Sequence, residues 1–591
     1  MEYKVLVRKG LLAGCVAISM VVFFFLYSFL SITSLSEPSI RLNSPDETAN
    51  YFFSRLTATT GDIRYREDLL SVTDHFLHPR SMVGVNGYVA PVSFVGMPYL
   101  YGSAARLFGI DILLFITPLL ALIIPLLFYR FLRSIFSFRI AGLSALLLAI
   151  HPAYWYFANR AMMHNILFFG LLIAGLAALA SIRGRFASAA PRRIHFGRIA
   201  LMMSGALMLG TSLTVRVSEI VWVIPLLLVI ACFFWRKTSW WAVMIFIIGF
   251  AAPLFFVFAS NARLYGNPAS FGYHGYGLFS LAPTLDAIDA ASTAVRNEHY
   301  SSLGLAIDEL YRGFDPLWKY ILPFGYDPEV FSEHFIQYFA KLFWWFVLPI
   351  ALGTLLLIRR GLMDVAEKRN YALIAYSICS SLIFYWMVAY YGSWIVQDNI
   401  TNIPTIGNSY VRYWLLLYAL SLPGIAALFV WMFDRARWYG LQRLIVVSML
   451  ACLVLYSYDA TYLRSNDSLA AIAASIRDSQ HKLSAVRDLT EPNSVIVSQR
   501  SDKHFFPERR VMESVENFNE APLVRALLDA GLPVYYYGLW EQDDADYISK
   551  RYFSNFGFEL VFHASVVENE HLYRAVSASP DSDFRDPSLL R

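Results

Sequence analysis

The sequence predicts a mainly α-helical, polytopic membrane protein of about eleven spans, with its N-terminus inside and an extracytoplasmic α/β domain at its C-terminal end. Of the 591 residues, 57% are hydrophobic and 16% are charged, and the mean hydropathy is +0.48. A typical soluble domain carries about 25% charged residues. The apolar residues also gather into long runs with few charges, which is typical of membrane-spanning helices.

Eleven stretches are candidate spans, each near the ~20 apolar residues that a helix needs to cross the hydrocarbon layer. They are residues 11–32, 112–132, 139–152, 164–182, 199–214, 219–235, 239–259, 341–358, 371–390, 412–432 and 441–457. The first follows a basic start and could be a signal peptide, but its length favours an uncleaved span.

Basic residues are concentrated in every second junction between these spans, and such junctions are expected on the cytoplasmic side. The residues are Lys4, Arg8, Lys9, Arg130, Arg133, Arg139, Arg183, Arg185, Arg192, Arg193, Arg198, Arg236, Lys237, Arg359, Arg360, Lys368, Arg369, Arg435, Arg437 and Arg443. Counting the apolar stretch 88–109 as a further span would break this alternation. We therefore interpret it as an interfacial or re-entrant helical segment on the outer side.

The predicted organisation has three parts. Residues 1–459 form the membrane module, with a large outer loop at 33–111 and a long one at 260–340. Residues 460–577 contain an amphipathic helical stretch followed by strand-like SVIVS, PVYYYGL and FELVFHASVV, an alternation that is typical of an α/β domain. The polar tail 578–591 is predicted to be disordered.

Unusual polar residues collect on the predicted outer face. The stretch SPDETANYF places Asp46 and Glu47 side by side, and three arginines, Arg160, Arg216 and Arg412, stand at outer span ends, against the positive-inside bias. A lipid phosphate would compensate such arginines, because a guanidinium group can donate two parallel hydrogen bonds to it. The other candidate site residues are Tyr51, His164, Asn165, Glu219, Arg263 and Tyr265.

Each feature also has a purely structural interpretation. The acidic pair could lie in a solvated loop, and Arg216 and Glu219 are three residues apart and could simply pair on one helix face. Arg160 could only anchor a span at the interface, and His164 could be structural. The aromatic residues of HPAYWYFAN fit a belt at the membrane interface.

Taken together, the polar residues favour transfer of a sugar from a lipid-phosphate donor. A carboxylate would act as general base on an acceptor hydroxyl, and the arginines would stabilise the departing phosphate. The alternative is a non-enzymatic transporter or lipid flippase, for which polar groups near the membrane midplane and two related halves are expected. A sensor with a ligand-binding outer domain would leave the loop residues unexplained. No motif indicates a nucleotide fold, a metal site or nucleic-acid binding.

Four motifs stand out in the predicted outer segments: PDETANY, HPAYWYFANRAMMHN, NARLYGNPASFGY and NSYVRYWLLLY. Through these motifs the chain resembles, over about residues 1–460, the C-type glycosyltransferases, and among them the protein O-mannosyltransferases and the lipid A aminoarabinose transferases. In one respect the chain departs from many relatives: His164 and Asn165 stand where those have an acidic residue.

The resemblance implies an inverting hexosyl or pentosyl transferase of the cell membrane that uses a polyprenyl-phosphate sugar. By this resemblance Asp46 is the catalytic base with Glu47 as its neighbour, and Arg160, Arg216 and Arg412 bind the donor phosphate. No cofactor or metal is expected. The acceptor hydroxyl would belong to a protein, a lipid or a glycan on the extracytoplasmic face, and membrane lipids would surround the module.

Overall fold

The computed structural model describes residues 17–186, 196–234, 240–272, 322, 325–365, 371–395, 403–435, 439–514 and 518–578. Several predictions fall outside these ranges. They concern most of the loop 260–340, the tail 578–591 beyond its first residue, and the basic residues Lys4, Arg8, Lys9, Arg192, Arg193, Arg236, Lys237, Lys368, Arg369 and Arg437.

Helices cover most of the described part of every predicted span. Their bounds are Ala17–Tyr27, Phe29–Ser36, Ile116–Leu132, Phe138–Ala149, Pro152–Asn159, His164–Phe186, Phe196–Val215, Ile220–Phe234, Trp240–Tyr265, Pro328–Phe335, Trp344–Val365, Tyr371–Gly392, Ser409–Tyr413, Leu415–Arg435 and Tyr439–Tyr462, with a π-helix at Ile336–Lys341 and a 3-10 turn at Val217–Glu219. By length and composition, five helices in the described ranges can cross a membrane, or eight if each of three bent pairs is one span. The chain is thus a membrane protein, while eleven crossings and their orientation remain predictions.

The predicted span 139–152 ends differently from the expectation. The helix Phe138–Ala149 meets the helix Pro152–Asn159 at a bend of 51°. His151 between them has an extended backbone (φ −68°, ψ 128°), as a residue before proline prefers, and its Nδ1 accepts a hydrogen bond from the amide of Ala153 at 3.2 Å. The junction 151–165 is therefore largely helical.

The interpretation of HPAYWYFAN as an interfacial aromatic belt is wrong. All eight residues of the helix Pro152–Asn159 are buried inside the protein, and the side chains of Tyr154 and Tyr156 are 0% exposed. The Tyr154 hydroxyl donates to the carbonyl of Ala121 at 2.7 Å. These aromatic side chains form core rather than a lipid-facing surface.

The described residues fall into two compact units. The first takes its described residues from Met1–Leu30, Leu114–Val257 and Pro283–Ala471, and the second takes its described residues from Ser31–Leu113, Phe258–Ala282 and Ile472–Arg591. The first unit contains most of the apolar helices. The helices Trp344–Val365 and Leu415–Arg435 approach closely at Gly353 and Gly424, where a Cβ on Gly353 would clash with the carbonyl oxygen of Gly424.

The second unit gives the predicted outer loop 33–111 a defined structure. A helix, Pro45–Thr60, packs on a second helix, Gly96–Phe108, and a 3-10 turn follows at Ile110–Leu114. Strands β1 (Tyr65–Arg66), β2 (Met82–Val85) and β3 (Tyr88–Pro91) form an antiparallel sheet in the order β1-β3-β2. Asn86 and Gly87 both have positive φ and form the tight turn between β2 and β3. The stretch 88–109 is accordingly a strand followed by a helix.

The C-terminal part of this unit holds a five-stranded mixed sheet. Its strands are β4 (Val495–Ser498), β5 (Arg510–Glu513), β6 (Val534–Gly538), β7 (Phe558–Val567) and β8 (Glu570–Ser577), in the order β5-β4-β6-β8-β7. Strands β5, β4 and β6 are parallel, and β8 and β7 add in antiparallel fashion. The helices are Leu469–Leu489, Asp502–Phe505, Ala521–Asp529 and Gln542–Arg551, with a 3-10 turn at Phe553–Phe556. The domain limits 460–577 remain a prediction.

Candidate functional site

The acidic pair does not lie in a solvated loop but in the first turn of the helix Pro45–Thr60. Ser44 is the N-cap, Pro45 occupies the first helical position, and Glu47 completes a capping box by accepting a hydrogen bond from the Ser44 amide at 3.3 Å. Carboxylates are also favoured at the positive end of a helix dipole. Glu47 is 2% exposed, and its hydrogen bond with the Ser44 amide stabilises the start of the helix. Asp46 is half-buried.

A serine that the sequence did not indicate holds Asp46. The hydroxyl of Ser81 donates to Asp46 Oδ1 at 2.6 Å, across 35 residues of chain. Ser81 has φ 61°, a left-handed backbone that a serine adopts only where its surroundings enforce it. Its carbonyl oxygen accepts the amide of Val92 at 3.1 Å, which ties this residue to the end of β3.

The other candidates in the second unit have separate contacts. Tyr51 is half-buried, and burial raises the pKa of its phenol. The Tyr265 hydroxyl donates to the carbonyl of Pro91 at 2.6 Å. Arg263 is 63% exposed and forms a surface ion pair with Asp62 at 3.2 Å. These contacts support the local fold, and the site membership of these residues stays a prediction.

In the first unit, Arg216 and Glu219 form a buried ion pair. Arg216 Nη2 lies 2.7 Å from Glu219 Oε1, and the two side chains are 9% and 2% exposed. Tyr391 joins them, because its hydroxyl accepts from Arg216 Nη2 at 3.0 Å and donates to Glu219 Oε1 at 2.7 Å. The indole of Trp222 donates to the other oxygen of Glu219. The predicted pairing of Arg216 with Glu219 is confirmed.

The ring of Tyr413 brings two of the three candidate arginines together. The guanidinium carbon of Arg216 lies 4.9 Å from the centre of this ring and that of Arg412 lies 5.0 Å from it. Tyr391 stacks on the same ring at 4.5 Å between centroids. An aromatic face attracts a cation and brings two cations close to each other. Arg216 Nε is buried and has no hydrogen-bond partner among the described residues.

Arg412 is held by its own turn and by a residue from the 151–165 junction. Its Nη2 donates to the hydroxyl of Ser409 at 2.9 Å and to that of Tyr413 at 3.2 Å. The side-chain amide of Asn165 donates to the carbonyl of Arg412 at 3.0 Å. Asn165 therefore orients the arginine through its backbone.

Arg160 follows the buried helix Pro152–Asn159 and is itself 5% exposed. Its Nη1 donates to the hydroxyl of Tyr156 at 3.2 Å. The carbonyl of Arg160 accepts the amide of Met163 at 3.1 Å, and the sulfur of Met163 lies 3.6 Å from Arg412 Nη1. One turn of chain thus connects Arg160 to Arg412, and the half-buried His164 begins the next helix.

The structure therefore groups four predicted residues of the first unit, Arg216, Glu219, Arg412 and Asn165, with Arg160 one turn away and His164 directly before Asn165. The remaining candidates, Asp46, Glu47, Tyr51, Arg263 and Tyr265, belong to the second unit. Sequence reasoning missed Ser81, Trp222, Tyr391 and Tyr413. Of these four residues, only Tyr413 is marked in the sequence, because it directly follows Arg412 in the motif NSYVRYWLLLY. Within the described ranges, no three His, Cys, Asp or Glu side chains converge as a metal site would require.

No protein-family model and no curated protein sequence matches this chain. Solved structures do resemble it. One is the oligosaccharyltransferase of Archaeoglobus fulgidus in its apo form, at a TM-score of 0.50 and 11% identity, covering 95% of this chain and 75% of that one. The fold of this chain resembles that of this oligosaccharyltransferase. Because the identity is low, the likeness concerns the fold, and function must be argued from the site.

Two further solved structures resemble the chain more weakly. One is the archaeal oligosaccharyltransferase AglB from Archaeoglobus fulgidus in complex with an inhibitory peptide and a dolichol-phosphate (TM-score 0.49, 11% identity, 96% of this chain and 75% of that one). The other is ArnT from Cupriavidus metallidurans bound to undecaprenyl phosphate (TM-score 0.48, 13% identity, 96% and 99%). The predicted resemblance to C-type membrane glycosyltransferases is confirmed at the level of the fold.

Proposed function

We propose that this protein is an inverting glycosyltransferase that moves a sugar from a polyprenyl-phosphate donor to an acceptor hydroxyl on the extracytoplasmic face of the membrane. The observation that carries the proposal is the convergence of Arg216 and Arg412 on the ring of Tyr413, within the fold of a membrane glycosyltransferase. Asp46 is the proposed base. The acceptor is a protein, a lipid or a glycan, and the reaction as written needs only donor and acceptor.

The arginine cluster suits the change in charge that this reaction produces. The donor is a phosphodiester with one negative charge, and the leaving group is a lipid phosphate monoester with two. Guanidinium groups held in place before the reaction stabilise the second charge as it develops. Arg216 and Arg412 are both held by neighbouring side chains, and Arg160 is anchored nearby. We assign the donor phosphate to these three residues.

The carboxylate of Asp46 suits the other half of the reaction. The acceptor oxygen forms a bond to the anomeric carbon as the bond from that carbon to the phosphate oxygen breaks, and the acceptor proton goes to Asp46. Attack opposite the leaving phosphate inverts the anomeric configuration. The hydrogen bond from Ser81 orients the carboxylate of Asp46, and a carboxylate held in this way can serve as the general base. Glu47, fixed as a helix cap, is assigned a supporting role.

The test is transfer by purified full-length protein from a panel of polyprenyl-phosphate sugars, with products identified by mass spectrometry. Asp46→Asn removes the base and is expected to lower kcat by about 10²- to 10⁴-fold. Asp68→Asn is the matched control, because Asp68 is an exposed residue of the same unit that pairs with Arg66 on the surface. Near-full transfer by Asp46→Asn would show that the base is misassigned. Failure of every donor with folded protein would favour the transporter or flippase instead.

A further inference from the structure

Asp46 stands between two stretches of chain, and both are contacted by one short segment of the C-terminal part of the second unit. Residues 39–44 lead directly into the helix that bears Asp46, and residues 79–81 end at its hydrogen-bond partner Ser81. Residues 502–508, which lie between strands β4 and β5, touch both stretches. The proposed base is thus held from two sides by the same piece of chain.

On the Ser81 side, the contact is an ion pair with Arg80. The amide of Arg80 donates to Asp502 Oδ2 at 2.8 Å, and its Nε donates to Oδ1 at 2.8 Å. The carboxylate of Asp502 is 1% exposed, whereas the side chain of Arg80 is 21% exposed. A buried carboxylate that receives hydrogen bonds from a backbone amide and a guanidinium group fixes both the main chain and the side chain of its partner. Asp502 therefore fixes the backbone immediately before Ser81.

On the other side, the contacts reach the residues before the helix. Lys503 Nζ donates to the carbonyl of Asn43 at 2.6 Å, and Asn43 directly precedes the N-cap Ser44. Arg41 is 2% exposed, and its Nη1 donates to the carbonyl of Phe506 at 2.7 Å. Arg41 also forms an ion pair with Glu508. These contacts fix the entry of the helix that carries Asp46.

We propose that residues 502–508 position Asp46 for proton abstraction, with Asp502 and Arg80 as the positioning pair. The proposal rests on the function proposed above, in which Asp46 is the base. A base loses efficiency when it is displaced by about 1 Å from the productive geometry. Ser81 also has a left-handed backbone conformation that persists only where the surrounding structure enforces it, so the loop beside Asp46 depends on an external anchor.

A second ion pair provides a control that separates the positioning of Asp46 from general stabilisation of the second unit. Arg510 on β5 pairs with Glu67 at 3.1 Å, and Glu67 is 5% exposed. This pair joins the same two parts of the unit as Asp502 and Arg80 do. Among the described contacts, however, it reaches neither Ser81 nor Asn43. Glu67→Gln is therefore the matched control, which should lower stability and leave the chemical step unchanged.

The experiment measures kcat, acceptor KM and donor binding for the full-length protein. Asp502→Ala and Arg80→Gln are each expected to lower kcat by about 10- to 100-fold. Donor affinity should stay within about twofold, because none of the three arginines is altered. The double variant should lose no more than Asp502→Ala alone, because removing the Asp502 carboxylate already breaks the hydrogen bonds from both the amide and the side chain of Arg80. Asp502→Asn keeps an oxygen acceptor for the Arg80 amide and should recover part of the loss.

Hydrogen exchange gives a reading that does not depend on activity. Arg80→Gln should speed exchange of the Val92 amide, which donates to the Ser81 carbonyl, and Glu67→Gln should not. If the Asp502→Ala variant fails to fold, hydrogen exchange in the Arg80→Gln variant still tests whether the pair of Arg80 and Asp502 anchors the backbone at Ser81. Wild-type kcat in both the Asp502→Ala and Arg80→Gln variants, with Asp46→Asn inactive, would overturn the positioning role and leave the proposed function standing. Full transfer by the Asp46→Asn variant would instead refute the proposed role of Asp46 as the base. Independently of activity, unchanged exchange of the Val92 amide in the Arg80→Gln variant would refute the anchoring of Ser81 by Arg80 and Asp502.

Discussion

Exchanging both members of the Arg216–Glu219 pair separates its structural role from its proposed role in binding the donor. Arg216→Met alone leaves Glu219 buried without its cation, and Glu219→Gln alone leaves the arginine without its anion. The carboxylate is 2% exposed and accepts hydrogen bonds from Tyr391 and Trp222 as well. Removing one member of a buried pair typically costs about 3–5 kcal/mol, whereas replacing both is often close to neutral.

The stability assay is thermal unfolding of the purified protein in detergent. An unfolding entropy of about 2.1 cal/mol/K per residue converts the expected loss into a fall of about 2–4 °C in Tm for each single variant. The double variant should unfold at a higher temperature than either single variant. Glu219→Gln keeps one oxygen that can accept from Tyr391, whereas the indole of Trp222 loses its acceptor, so recovery should be incomplete.

Transfer activity should behave differently from stability in the same three proteins. Both variants that contain Arg216→Met should lose about 10²- to 10³-fold in kcat, since a positioned donor to a developing negative charge is worth that much. A double variant that regains stability and also transfers sugar within about threefold of the wild type would refute the role of Arg216 at the donor phosphate. The pair would then be structural.

Three further predictions concern single side chains. Tyr413→Leu removes the ring shared by the two arginines and should raise the donor KM by about tenfold, measured by titration of the donor at saturating acceptor. Burial, together with nearby lysine and arginine charges, lowers the pKa of His504 to about 3. The unfolded chain binds this proton near pH 6.5 and the folded one does not, so stability should fall as pH falls, by about 2 kcal/mol between pH 7 and pH 5. In thermal unfolding across this range, His504→Gln should show a flatter dependence than wild type, and identical slopes would contradict the assignment. Arg263→Ala breaks only an exposed pair with Asp62 and should change Tm and kcat little; a tenfold loss of kcat would instead place Arg263 in the site.

Local sequence patterns predict much of the fold. Apolar runs of about 20 residues predict helices, and helices cover most of the described part of each. One local signal was also present at the acidic pair: Ser44, Pro45 and Glu47 form the spacing of a capped helix start. Its position marks Asp46 and Glu47 as the first turn of a helix rather than a solvated loop.

The other features of the fold and of the candidate site depend on contacts between residues far apart in the chain, which local sequence patterns do not encode. Ser81 reaches Asp46 across 35 residues, and Tyr391 reaches Arg216 across 175. An aromatic cluster such as HPAYWYFAN has the same composition whether it faces lipid headgroups or a protein core, so only packing distinguishes the two. Arg160, Arg216 and Arg412 stand out in the sequence because a charged side chain at the outer end of a span is costly. Tyr391 and Tyr413 do not stand out, because tyrosine is common at that depth of the membrane.

The contact between Arg80 and Asp502 also sets an order in time. The two residues are 422 positions apart, and at roughly 5–20 residues per second a ribosome needs about 20–85 s to add that length. During this interval the residues of the helix that bears Asp46 have been synthesised, but the loop beside it lacks its anchor. A growing chain would therefore hold Asp46, the proposed base, in its anchored position only after the helix Tyr439–Tyr462 and residue 502 have been made. Transfer by incomplete chains in the membrane would be suppressed without any separate inhibitor.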